Sequence, residues 1–447
     1  MKTVVLACSF FILLLASFNC KSPTAPNGRG IRLTVADVSC TEAWLNLTAS
    51  NVAFPVNLTI KSGSSVLFNS SISSSDSLIY IDSLLPNQTY TLQGYITTNN
   101  KQYTINQLTL KTMATTSSNF TWQLFTLGNY LTGNSSILYD VAIINDTSAW
   151  TVGEIYTNDS TGMYNAVHWD GKNCNVHKIP YFYQGQTFYH SIKSVLAFGS
   201  NNIFFCGNGV IYWDGTKYNP FSIPTSVWGP YQMNKLWGVN NQSVYVAGNG
   251  GNIIFYNGQT WEKQESGTNF DLYDIYSNDG KTIYASGGNF SNYDGVLLKG
   301  NNNWQTIKEG KIINSNELFN PYFAGIAKTV WVSSNNTVYF GGNLLYRYKL
   351  GQFELVKSLQ GNYINGDVNG QYFGFISQIR GNGDNDIVMV GEGNTIRHFN
   401  GVRWNQLGMP YNYSSDYTWL AVSMKGNLII AVGYSSTNAI IIVLKRQ

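Results

Sequence analysis

A glycine closing a short apolar run recurs seven times in this chain. The copies are AWTVG ending at Gly153, IFFCG at Gly207, VYVAG at Gly248, IYASG at Gly287, VYFG at Gly341, IVMVG at Gly391 and IIAVG at Gly433, 39 to 54 residues apart. A second signal follows it: an aromatic residue, then Asp-Gly or Asn-Gly, then in most copies another aromatic. It stands as HWDGKN at 168–173, YWDGTKY at 212–218, YNGQTW at 256–261 and FNGVRW at 399–404, with degraded copies KGNNNW at 299–304 and YKLGQF at 348–353. The best-preserved unit, Lys235 to Thr268, reads as four short strands, with Asn257-Gly258 as the central pair of a type I′ hairpin turn. Four strands in about 40 to 50 residues is the period of a propeller blade.

The seventh copy lacks its Trp-containing fourth strand. That strand stands alone before the first copy, as Phe120-Thr121-Trp122-Gln123-Leu124-Phe125. A last blade completed from the N-terminal side closes the ring by ladder hydrogen bonds and removes the open edges. The expectation for 119–447 is therefore a seven-bladed β-propeller closed by an N-terminal strand.

Charged residues make up only 11 % of the chain, against roughly 25 % in ordinary soluble domains, and formal net charge is +3 without a basic run. Nucleic acid is not an expected partner, since it calls for a clustered cationic stripe. At 43 % hydrophobic and 15 % aromatic, the composition is that of a folded, turn-rich β protein and not of a disordered chain.

Residues 1–20 read as a targeting segment. Lys2 is the positive end, and Val4 to Leu15 is an apolar run too short to span a membrane. The run Ala16-Ser17-Phe18-Asn19-Cys20 and the tether at 21–30 together resemble a bacterial lipoprotein signal, although Ser17 and Asn19 depart from the usual box. That resemblance implies acylation of Cys20, a membrane partner through the lipid, and a place in the cell envelope. Of the other cysteines, Cys8 leaves with the leader. Cys40, Cys174 and Cys206 fit no metal spacing, and Cys206 reads as a small buried hydrophobe.

Residues 31–114 carry seven short alternating strands, the pattern of an immunoglobulin-like sandwich. Leu84, Pro86 and Tyr90 match the L-x-P-x-T-x-Y signature of fibronectin type III domains, with Gln88 in place of the Thr. The resemblance implies a corner role for Tyr90 and, because Trp44 falls early in its strand, a core role for Leu47. Such a domain acts mostly as a spacer. A polar hinge at 115–118 follows. The whole layout resembles bacterial secreted lipoproteins that carry a fibronectin-type domain and a propeller of YNGxxW-like repeats. The expected fold class is all-β.

Function should reside where loops between blades gather on one rim. These loops are rich in aromatics: Tyr181, Tyr183, Tyr189 and His190 between the first and second units, Trp228 and Tyr231 next, then Tyr322, Tyr363, Tyr372, Tyr411 and Tyr413. Exposed aromatics gathered on one face are a binding signal for sugar rings or peptide side chains. The leading expectation is a non-enzymatic binding or scaffold protein for a glycan or protein ligand.

The alternative is a carbohydrate-active enzyme, a glycoside hydrolase or lyase, using two of the rim carboxylates Glu154, Asp159, Glu309, Glu317, Asp367, Glu392 and Asp416. No H-E-x-x-H, G-x-S-x-G or phosphate-binding loop is present. No catalytic residue, metal ligand or cofactor is therefore assigned. His168 and His398 share a repeat register and read as packing residues.

Overall fold

The computed structural model describes residues 30–98, 101–128, 133–159, 162–183, 185–310, 325–356, 367–368, 371–372, 375–408 and 416–447. The leader with Cys20, and Tyr322, Tyr363, Tyr411, Tyr413 and Glu317, lie outside them. The described chain is mostly antiparallel β-structure, with one short α-helical turn at Thr225–Trp228 and a 3-10 turn at Asn249–Gly251. It divides into two units. One comprises 30–37 with Ala43–Asp82 and Thr89–Lys111. The other comprises Val38–Glu42, Ser83–Gln88 and Thr112–Gln447.

The smaller unit holds two sheets. Strand Ala43–Ser50 lies between Gly30–Val38 and Ser77–Ile81. In the second sheet the order is Ser65–Ile72, Val56–Ser62, Thr89–Thr98, Lys101–Lys111. Alternation sets its core: Val56, Leu58 and Ile60 are buried while Asn57 is exposed, and Trp44, Leu45 and Leu47 are all buried.

Among the described residues the larger unit holds seven four-stranded sheets in chain order. Their first strands are Ile137–Asn145, Ser194–Gly199, Met233–Asn240, Asp271–Tyr276, Ala327–Val332, Ile376–Gly383 and Tyr417–Lys425. Each first strand contacts the next, and the seventh returns to contact the first. The fourth strand of the seventh sheet is Phe120–Leu127, paired in full register with Asn438–Arg446 from Ala439↔Leu127 to Arg446↔Phe120. The core lies between neighbouring sheets: Leu138, Ile155 and Trp169 of the first pack with Ile430, Val432 and Ile441 of the seventh.

The recurrent glycine has a steric cause. A Cβ at Gly153, Gly207, Gly248, Gly287, Gly391 or Gly433 would lie 1.9–2.5 Å from a carbonyl oxygen entering or opening the first strand of the same sheet. In the fifth sheet the residue in this position is Gly342, 2.2 Å from Ile326 O and opposite Ala327, and not the expected Gly341. A pair of glycines there made the motif ambiguous by one residue.

The Asp-Gly and Asn-Gly turns also differ from expectation. Gly171, Gly215, Gly258 and Gly401 have φ of 91–96°, while the preceding Asp or Asn is not left-handed. That residue stands one place beyond the last ladder pair of its strand, and its Oδ1 accepts the next two free N–H groups: Lys172 and Asn173 donate to Asp170, and Gln259 and Thr260 to Asn257. A single positive φ at the first central position fits the mirror type II′ turn, not type I′. Both central residues are left-handed only in the degraded copy, at Leu350 (49°) and Gly351 (82°).

Candidate functional site

The register places one residue of each first strand opposite the residue that precedes the close-approach glycine. In chain order these are Asp140, Ser194, Lys235, Asp274, Thr329, Gln378 and Ala421. Six of the seven are polar, and they stitch the first strands together. Asp140 Oδ2 accepts from Ser194 Oγ at 2.6 Å and from Val195 N at 3.1 Å, and Lys235 Nζ lies 2.5 Å from Oδ1. Asp274 Oδ2 accepts from Thr329 Oγ1 at 2.8 Å and Val330 N at 3.1 Å, and Arg380 donates to both its oxygens. Ser194 Oγ and Thr329 Oγ1 each accept the amide of the following sheet, from Leu236 at 3.0 Å and Ile379 at 3.1 Å. The same three-sheet arrangement therefore occurs twice.

Both carboxylates are buried, at 1 % exposure. Burial alone would raise the Asp274 pKa, but the Arg380 charge and hydrogen bonds hold it below the usual carboxylate range. Beside this belt lies a cavity of about 190 Å³ to which all seven first strands contribute, among them Lys235, Tyr276, Trp331 and Arg380.

The residues just before the belt repeat in the same way: Tyr139, Lys193, Asn234, then Tyr273, Lys328, Ser377. Lys193 Nζ sits 3.4 Å from the ring centroid of Tyr139, and Lys328 Nζ sits 4.0 Å from that of Tyr273. Each ring is fixed by its hydroxyl. Tyr139 donates to Glu154 at 2.5 Å, and Tyr273 to Gly288 O at 3.2 Å. Burial lowers both lysine pKa values, with Lys328 pushed down to about 8. Asp274 and Asp271 pull Lys328 the other way, and Lys193 adds repulsion. Neither lysine makes an ion pair with a described residue. The signal for these residues was present in the sequence as YD, KS, NK and then YD, KT, SQ. It is carried by dipeptides whose alignment requires the glycine register, and it was missed.

The expected rim aromatics separate into two groups. Tyr181 and Trp228 are 8 % and 6 % exposed and belong to the core. The reason is the bare glycine beneath each. Tyr181 Oη is 3.0 Å from where a Cβ of Gly207 would stand, and the Trp228 ring is 2.7 Å from that of Gly248, with its Nε1 donating to Tyr231 O. They cover the ends of the second strands and leave little of their rings in solvent.

Tyr189, His190 and Tyr231 are exposed, with Tyr231 at 49 %. Tyr183 and Tyr372 lie in described strands, Tyr181–Tyr183 and Gln371–Tyr372. Phe290, not anticipated, is 49 % exposed and its ring is 5.6 Å from Tyr273 and 6.0 Å from Phe375. Among the rim carboxylates, Glu154 is engaged by Tyr139, and Asp159 by Thr157 and Tyr164. Among the described residues no three His, Cys, Asp or Glu side chains are grouped to hold a metal.

One polar line resembles a catalytic arrangement. Ser118 Oγ is 2.7 Å from His398 Nδ1, and His398 Nε2 is 2.7 Å from Asp386 Oδ1. Yet His398 is 0 % exposed, and Asp386 is also bound by the Arg446 guanidinium. In a catalytic triad the carboxylate must stabilise an imidazolium, and here the Arg already claims that charge. The line joins Ser118 to the sixth sheet and, through Asp386, to Arg446 of the strand Asn438–Arg446, which is a structural tie. His168, at the matching register, bonds Ser148 at 2.9 Å.

No family model matches the sequence, and no curated protein is similar to it in sequence. Solved structures are similar in fold. The WD40 β-propeller domain of Doa1 superposes with a TM-score of 0.51 at 14 % identity, covering 74 % of this chain and 98 % of that one. YCF48 bound to D1 peptide superposes with a TM-score of 0.50 at 12 % identity, covering 73 % and 97 %. The chain is an all-β repeat protein with a propeller-like fold. At such identities the likeness speaks to fold alone.

Proposed function

We propose that 119–447 is a seven-bladed propeller that binds a peptide segment of a protein partner on the face where its first strands begin. In the same reading, 31–114 is a fibronectin type III-like spacer and Cys20 carries a lipid that anchors the protein in the cell envelope. The cyclic contact of first strands and the borrowed fourth strand support the blade count. The sheet orders of the smaller unit, three strands against four, support the spacer.

The observation that carries the binding reading is the exposed aromatic set on this face. Tyr189, Tyr231 and Phe290 keep 43–49 % of their surface in solvent, Tyr231 even though its ring lies over Gly229 and Gly250, while Tyr181 and Trp228 are buried. Large amphipathic rings in a polar surround are the usual anchors of a protein interface. A propeller neighbour, YCF48, was solved with a bound peptide, which agrees with this use of the fold.

The test is a peptide array and a glycan array probed in parallel with the protein and with a Tyr231→Ala, Phe290→Ala double variant. Peptide binding weakened at least tenfold in the variant supports the proposal. Glycan binding without peptide binding, or peptide binding indifferent to the variant, overturns it.

A further inference from the structure

We propose that Lys193 and Lys328 together hold a carboxylate of the bound peptide between them. This rests on the peptide-binding reading and adds the chemistry that the site selects.

The first argument is position. The two lysines occupy the same place in the second and fifth sheets, immediately before the belt residues Ser194 and Thr329. Each lies over the tyrosine contributed by the preceding sheet. A face-on aromatic ring attracts an ammonium group but accepts none of its hydrogens in a strong bond. Three donors on each nitrogen are thus steered without being consumed.

The second argument is charge. A half-buried ammonium normally has a carboxylate beside it. The belt carboxylates are already committed, Asp140 to Lys235 and Asp274 to Arg380. The other charged groups acting on the pair are Glu154 on Lys193, and Asp271 and Asp274 on Lys328, each beyond ion-pair distance, while the lysines repel one another. An anion placed between them removes that repulsion and replaces the water lost on burial. The nearby Glu154 and Asp271 disfavour a dianion. A singly charged carboxylate suits the site better than a phosphate does. It can come from the C-terminus of a peptide or from an Asp or Glu side chain.

The test uses the full chain with its lysines reductively ¹³C-methylated, so that each reports separately by NMR. The Lys193 and Lys328 signals are assigned by their loss in Lys193→Met and Lys328→Met, variants that keep the stem over the tyrosine and remove the charge. The probes are N-acetylglycine for a terminal carboxylate, N-acetylaspartate amide for a side-chain carboxylate, and inorganic phosphate and chloride at matched ionic strength.

The expected result is a saturable shift of both signals with one or both carboxylates and at least a tenfold weaker response in either variant. Binding should weaken as pH rises through about 8, where Lys328 loses its proton. Equal shifts with chloride, a stronger response to phosphate, or carboxylate binding that survives the double variant each overturn the proposal. The array of the preceding section is read in free-acid and amidated forms, with Asp/Glu and Asn/Gln versions of each peptide. Peptides that bind without regard to carboxylate leave the binding face standing and remove this inference. Silence of all peptides removes the binding face, and the small-carboxylate titration still decides the lysine pair.

Discussion

Asp274 receives both terminal nitrogens of Arg380, at 2.8 and 3.0 Å, so a carboxylate of the fourth sheet is locked to a guanidinium of the sixth with Thr329 of the fifth between them. Removing one member of such a buried pair leaves the other charge uncompensated, at a cost of about 3–5 kcal/mol. Arg380→Met should lower unfolding free energy by about that amount in a urea titration followed by tryptophan fluorescence. A loss below about 1 kcal/mol would show that the belt is dispensable.

Acid should unfold the larger unit through its buried carboxylates. Asp274 and Asp386 both have folded-state pKa values below their unfolded ones: burial opposes this, but Arg380 and the His398 and Arg446 hydrogen bonds outweigh it. The unfolded state therefore binds more protons in this range. The stabilisation is fully present above about pH 4 and is lost as pH falls through the folded values. Asp386→Asn should flatten the fall of melting temperature with decreasing pH below 4, as measured by calorimetry. An unchanged slope counts against this assignment.

Lys328 behaves in the opposite sense. Its folded pKa of about 8 lies below the ordinary lysine value, so the unfolded chain holds the extra proton and stability should rise with pH from about 8 towards 10.5. Lys328→Met should raise the melting temperature at pH 7 and abolish that rise. A lower melting temperature at pH 7 would mean that the ammonium has a stabilising partner in the free protein.

Gly433→Ala is expected to be severe. Its added methyl would lie 1.9 Å from Thr418 O, backbone that no side-chain rotation relieves. Overpacking of this kind costs typically 1–3 kcal/mol and more where backbone must move. Gly267→Ala, with nothing within 4 Å, faces only the strain of φ 75° and should cost less. Equal losses in paired urea titrations would refute the steric account.

The exposed Asp214 is already saturated by its own turn. Thr216 and Lys217 amides and the Thr216 hydroxyl donate to Oδ1, and Asn219 donates to Oδ2, which holds the carboxyl well below its usual range. Calcium with or without a chelator should leave the melting curve unchanged. A shift of several degrees on chelation would reopen these turns as cation sites.

Much of the architecture was legible because its cause is local. A glycine against a carbonyl and an Asp or Asn capping its own turn leave marks at fixed spacing, and the lone strand with Trp122 pointed to its pairing with Asn438–Arg446. The candidate site was not legible in the same way. Tyr181 and Trp228 read as surface anchors because an aromatic in a loop looks the same whether it stands in water or fills the space over a glycine. Lys193 and Lys328 sat unnoticed because a single Lys at a strand entrance carries no signal by itself. Their meaning comes from equivalence across sheets, which the register supplies. The shift from Gly341 to Gly342 shows how one extra glycine blurs that register.

The pairing of Phe120–Leu127 with Asn438–Arg446, tied at its end by the Gln447 amide on Asn119 O, sets an order of events in synthesis. The segment that finishes the seventh sheet emerges from the ribosome before every other strand of the seven sheets and waits for a partner made after the other six. Until then it is a bare ladder with apolar neighbours, open to wrong pairing. A chaperone that occupies this segment would therefore hold the whole unit incomplete, and its release would act as the final step of maturation.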